Sequence, residues 1–146
     1  MKPGILMALS IAITGQVLYH VTQKSVSASA HPVVSLLAFY LVAALLTLPL
    51  LFVFPLQTSL IEETTKLNWA VYGVAVSIVL IEIGFLLAYR AGAELSSAFV
   101  ITSAVVTVST LLIGLLFFNE GISTTKIAGI VLCLGGIGLI TWKTAP

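Results

Sequence analysis

Residues 69–89 read WAVYGVAVSIVLIEIGFLLAY, an unbroken apolar run in which Glu82 is the one charged residue. A run of this length matches the ~20 residues that an α-helix needs to cross a hydrocarbon core about 30 Å thick. Its aromatic ends, Trp69 and Tyr89, suit the two water boundaries of a bilayer. Working outward, four more runs have the same character, at 4–22, 33–54, 95–118 and 126–142. Polar connections separate them: KSVSASAHP before the second run, LQTSLIEETTKLN after Pro55, and the short turns RAGAE and NEGISTTK. Pro49 inside the second run predicts a kink there, because proline offers no N–H to the preceding turn. The runs are continuous rather than alternating, which excludes a barrel and leaves helices to satisfy the backbone in lipid. The expectation is an all-α integral membrane protein with five transmembrane helices, one domain over residues 1–146.

Composition points the same way. The 146 residues are 60% hydrophobic and 8% charged, and the mean hydropathy is +1.21. Soluble domains carry about 25% charged residues, so this chain cannot coat itself for water. Its partner is a lipid bilayer, and the expected location is the cell or inner membrane, crossed several times. A net charge of +1 cannot build the basic face that nucleic acid requires. Cys133 is the one cysteine, and His20 and His31 lie far from it, so neither a disulfide nor a metal cluster is expected. No Walker A, GxSxG or HExxH pattern occurs, so neither an enzyme nor a cofactor is expected. Lys2, the apolar stretch Ile5–Ile13 and the Ala28-Ser29-Ala30 triplet together look like a secretory signal. The polar spacer of Gln16, Tyr19, His20, Gln23 and Lys24 is too long for one, so the first run is read as a crossing.

Five crossings place the termini on opposite sides. Lys2, Lys66 and Lys126 then share one side, and Lys24, Arg90 and Lys143 the other. Lysine and arginine bias sets orientation, and a balanced chain has little to choose between its two insertions. Dual topology is one reading; a fixed orientation set by charge position or by a partner is the other. A unit inserted both ways can form an antiparallel homodimer about a two-fold axis in the membrane plane.

Glu82 lies deep in its run, where a charge costs about 2.5–3.5 kcal/mol on insertion scales, so by default it marks a function or a buried partner. Loss of hydration favours the protonated acid, which sheds its proton when water or a cation arrives. The competing reading is a neutral acid serving as hydrogen-bonding glue between helices. In the first run Gln16, Tyr19, His20 and Gln23 fall at i, i+3, i+4 and i+7, hence on one face. Counting from the helix starts puts Gln16 level with Glu82, and a hydrogen bond between them is expected. His20, about 6 Å further along, is the group able to titrate near neutral pH, or is simply solvated. Phe85 and Tyr89 extend the Glu82 face, where rings either hold a planar or cationic guest or pack the core. Ser96, Phe99, Ser103, Thr107, Thr110 and Gly114 recur at helical spacing, which suits close helix packing or a polar cavity lining. Arg90 and Glu94 in one turn, Glu120 in another, and Glu62 and Glu63 in the longest connection read as boundary and solvent charges.

The closing stretch, AELSSAFVITSAVVTVSTLLIGLLFFNEGISTTKIAGIVLCLGGIGLITWK, resembles the end of EamA domains in the drug/metabolite transporter superfamily. The resemblance rests on the small-residue helix Ala98–Phe118, the Glu120 turn, and the Gly129 and Gly135-Gly136 helix. It implies a single, unduplicated EamA-like domain where ten-helix members carry two. The small multidrug resistance transporters are a more distant likeness. Aligning Lys24 with the lysine closing that family's first helix puts Gln16 where the family has its proton-exchanging glutamate, and glutamine cannot exchange a proton. Gly129 and Gly136, seven apart, match the spacing by which the last helices of that family dimerise. The function these likenesses imply is secondary transport of a small metabolite or amphipathic drug by alternating access. It would be performed by an antiparallel homodimer, with Glu82, Gln16, His20, Tyr19, Phe85, Tyr89, Ser103 and Thr107 as the substrate or proton site. A flippase component for lipid-linked headgroups and a non-transporting membrane subunit or assembly factor are the rival readings.

Overall fold

Helix boundaries follow the punctuating residues. The computed structural model describes residues 2–118, 121 and 123–142. Glu120 and Lys143 lie outside them, and only the backbone of Lys126 and Trp142 is described. The helices are α1 Pro3–Lys24, α2 Pro32–Thr47, α3 Leu50–Val53, α4 Leu60–Thr65, α5 Trp69–Arg90, α6 Leu95–Phe117 and α7 Thr124–Trp142. Pro32 opens α2 in its first turn, where a missing N–H is no loss. Pro49 breaks the second run into α2 and α3, since it has no N–H for the carbonyl one turn back. The break is shallow: Leu48 keeps helical angles of φ −58 and ψ −43, and Phe52 N–H bonds Pro49 O at 3.1 Å. Asn68 caps α5, its side chain accepting from Ala70 N–H at 3.1 Å. Beyond the end of α5, Gly92 takes φ 95, a left-handed turn that favours glycine.

The longest connection is not plain solvated coil. Ser59 caps α4 there by accepting from Glu62 N–H at 3.2 Å. Lys66 Nζ and Thr58 Oγ1 donate to Glu63 Oε1 at 2.8 and 2.6 Å. These two donors, the lysine first, hold the Glu63 carboxyl below its ordinary value.

Among the described residues four segments are long and apolar enough to cross a membrane: Pro3–Lys24, Pro32–Val53, Trp69–Arg90 and Leu95–Phe117. The fifth crossing expected at 126–142 falls on α7, whose apolar helix Ile127–Leu139 is shorter. α7 as a whole has 19 residues, about 28 Å at 1.5 Å per residue, close to the thickness of a hydrocarbon core. The protein is thus all-helical with four candidate spans and a shorter apolar helix.

The chain divides into two compact units, with the boundary inside α1. One comprises Met1–His20 and Gly92–Pro146, the other Val21–Ala91. In the first, α6 packs on α7; in the second, α2 packs on α5 and α3. Large apolar side chains such as Leu46, Phe52, Leu80, Leu112 and Leu132 are exposed, while polar His20, Gln23 and Ser35 are buried with Leu36, Leu86 and Tyr89. An apolar exterior around buried polar groups is stable where the surroundings are acyl chains. Hydroxyls within the spans bond the preceding turn of their own helix, as Ser77 does to Gly73 O at 2.9 Å and Thr110 to Val106 O at 2.8 Å.

Candidate functional site

Glu82 sits mid-way along α5 and is half-buried. Its carboxylate accepts a hydrogen bond from Gln23 Nε2 at 3.1 Å, and the same amide donates to Glu82 O at 2.9 Å. Gln23 itself is only 4% exposed. The partner expected on α1 was Gln16; the residue actually placed against Glu82 is Gln23, on the same face and seven residues later, while Gln16 is exposed. Seven residues of helix are about 10 Å of axial register. The reason is visible at the end of α5. Arg90 extends from its last turn to the α1–α2 connection, donating to Ser27 O at 3.3 Å and Ala30 O at 2.8 Å. The connection therefore lies beside the last turns of α5, and α1 ends short of them. Counting from helix starts ignores this offset.

The same unit brings the predicted aromatic pair together. Phe85 and Tyr89 stack with centroids 5.8 Å apart and planes 27° from parallel. Lys24 Nζ stands 5.9 Å from the centre of the Tyr89 ring, within cation–π range. Tyr89 is buried and Phe85 half-buried. One wall of this unit was not singled out from sequence. Tyr40 on α2 joins Ala75, Ile78 and Val79 of α5 along an open apolar groove of about 200 Å³, whose three α5 residues are exposed. Its hydroxyl oxygen is buried without a protein hydrogen-bond partner. Nothing in the run 33–54 marks it beyond being a tyrosine among leucines and valines.

The other unit holds the remaining candidates. His20 is buried, its ring edge-on to Tyr19 at 4.9 Å and to Phe99 at 4.8 Å. Enclosure by two rings differs from the solvated histidine that its place near the helix end suggested. In α6, Ser103 is half-buried and Thr107 exposed, and the Thr107 hydroxyl donates to Ser103 O at 2.7 Å. In α7, Gly129 and Gly136 are exposed, and a Cβ built at either meets nothing within 4 Å. The described residues contain no group of His, Cys, Asp and Glu placed to hold a metal.

The arrangement can present a carboxyl group inside a membrane span with the neutral amide of Gln23 among the groups that hold it. Such a group can take up a proton or a cation and release it. No curated protein matches the chain, and no solved structure does. The model of the EamA-like transporter family matches residues 2–142, nearly the whole length. A multi-pass membrane protein with this match is a membrane transporter of the drug/metabolite superfamily, and the chain belongs to the EamA-like transporter family.

Proposed function

We propose that the chain is a secondary transporter that moves a small metabolite or amphipathic drug across the cell membrane by alternating access, coupled to protons through Glu82. The contact between Gln23 and Glu82 carries this proposal. Inside a span an ionisable group is expensive, and a donor held against the carboxylate eases its ionised form. Glu82 can then exchange a proton for cargo, while the Phe85–Tyr89 stack beside it offers ring faces to an organic guest. Tyr19, His20, Ser103, Thr107 and Gln16 stay in the proposal as candidate cargo contacts.

The working unit is an antiparallel homodimer. A single domain supplies half of an inverted-repeat carrier, and the balanced lysines and arginines permit both insertions. Gly129 and Gly136 fit this assembly, since their small size answers to no contact among the described residues. A flippase component needs a groove for a polyisoprenoid chain and its headgroup.

The test uses the purified chain in proteoliposomes with labelled amino acids, nucleosides, sugars and tetraphenylphosphonium as a panel. Glu82→Gln is expected to abolish the dependence of uptake on a pH gradient while cross-linked dimer is retained. Unchanged pH dependence would remove Glu82 from the mechanism, and flux of none of the panel together with a stable complex with another protein would favour the subunit reading.

A further inference from the structure

The connection from α3 to α5 carries exposed apolar side chains beyond the ends of the spans: Phe54, Leu56, Leu60, Ile61 and Leu67, with Ile61 79% exposed. Within it the short helix α4 is sorted into two halves. Leu60 and Thr64 stand four apart, as do Ile61 and Thr65, so these residues share one half of the helix, while Glu62, Glu63 and the capping Lys66 share the other. The first half holds no unanswered donor, because Thr64 gives its hydroxyl to Ile61 O at 2.7 Å and Thr65 gives its own to Glu62 O at 2.8 Å. On the second half Lys66 Nζ is already spent on Glu63 Oε1 at 2.8 Å. The segment therefore has an apolar side that asks nothing of water and a charged side that does.

The course of the chain says what lies against the apolar side. Pro32–Val53 and Trp69–Arg90 are consecutive candidate spans, so the two ends that this connection joins emerge on one surface of the bilayer. Residues 54–68 start and finish at that headgroup boundary, and Trp69, 81% exposed, stands where an indole ring anchors to it. A loop standing off in water would keep Phe54, Leu60 and Ile61 hydrated for no return. We propose that residues 54–68 are an in-plane membrane anchor: α4 lies along the bilayer surface, with Leu60 and Ile61 about 5–10 Å into the boundary between headgroups and acyl chains and with Glu62, Glu63 and Lys66 toward water. The partner of this surface is lipid, and its hold is apolar, since the lysine is engaged within the segment. The anchor is independent of the cargo and of the role of Glu82.

The test reads depth on the full chain in phosphatidylcholine nanodiscs. Cys133→Ala removes the one native cysteine, and Ile61→Cys or Glu62→Cys then places a single bimane label on either half of α4. The two positions lie about 100° apart around the helix. The label at position 61 should lose fluorescence to lipid brominated high in its acyl chains and keep it against aqueous iodide, and the label at position 62 should do the reverse. Leu60→Cys repeats the first reading on the same half, so that a single ill-folded variant does not decide the matter. Equal quenching of both halves by iodide would put the connection in water and overturn the proposal, and equal quenching of both by brominated lipid would overturn the orientation on which it stands. A label at position 61 shielded from both quenchers would overturn it too and assign the face to protein; exposure of that label in nanodiscs loaded with one chain each would then name a second copy as the cover.

Discussion

Replacing Gln23 by leucine tests the contact on which the proposed site depends, and the structure sets the size of the effect. The amide donates twice, to the carboxylate at 3.1 Å and to the backbone oxygen of Glu82 at 2.9 Å. Gln23→Leu removes both bonds, whereas Glu82→Leu removes only the first, because the backbone acceptor stays. A neutral hydrogen bond contributes about 0.5–1.5 kcal/mol net and one to a charged group about 1.5–3. In membranes the unfolded reference also finds partners, and double-mutant cycles average about 0.6 kcal/mol with a maximum of about 1.7. The expected cost of Gln23→Leu is therefore about 1–3 kcal/mol. The coupling between the two sites should be about 0.6–1.7 kcal/mol, since the bond to the backbone oxygen is lost equally with and without the Glu82 side chain and cancels from the cycle. Equilibrium unfolding of all four proteins in mixed micelles, followed by helicity at neutral pH, supplies the cycle. Sites without interaction add to within about 0.3–0.5 kcal/mol. A coupling inside that margin would show that the amide does not hold the carboxylate, and the proposal for Glu82 would lose its structural basis.

Two further outcomes follow from other contacts. Arg90→Ala removes the donors to Ser27 O and Ala30 O. It should speed deuterium exchange in residues 25–31 by about 5- to 50-fold and leave the middle of α5 unchanged; unaltered protection of the connection would show that Arg90 does not order it. A Cβ at Gly129 or Gly136 meets nothing within 4 Å among the described residues, so Gly129→Leu and Gly136→Leu are tolerated there. Each should leave the unfolding midpoint of the monomer in place yet reduce cross-linked dimer at least about 10-fold, and an undiminished dimer would move the interface away from α7.

What the sequence reveals of this molecule is set by the range over which each physical cause acts. The polar face of α1 and the depth of Glu82 in its run are local properties, fixed by helical period and apolar length, and both are legible in the residues themselves. The break at Leu48–Pro49 is equally local, because proline acts on its own preceding turn. Which residue of that face meets Glu82 is a different matter. Axial register between two helices is set by the segment joining them to their neighbours, here by Arg90 drawing the carbonyls of Ser27 and Ala30 alongside the end of α5. No periodicity encodes that offset, so counting from the helix starts selects Gln16 where the structure selects Gln23. The Tyr40 hydroxyl was hidden for a related reason. In a run where lipid and neighbouring helices reward the same apolar side chains, pattern cannot separate a residue facing acyl chains from one facing α5. Once the helices are packed, the distinction rests on a single oxygen: a tyrosine at the lipid boundary can turn its hydroxyl to water, whereas that of Tyr40 is enclosed without a protein acceptor.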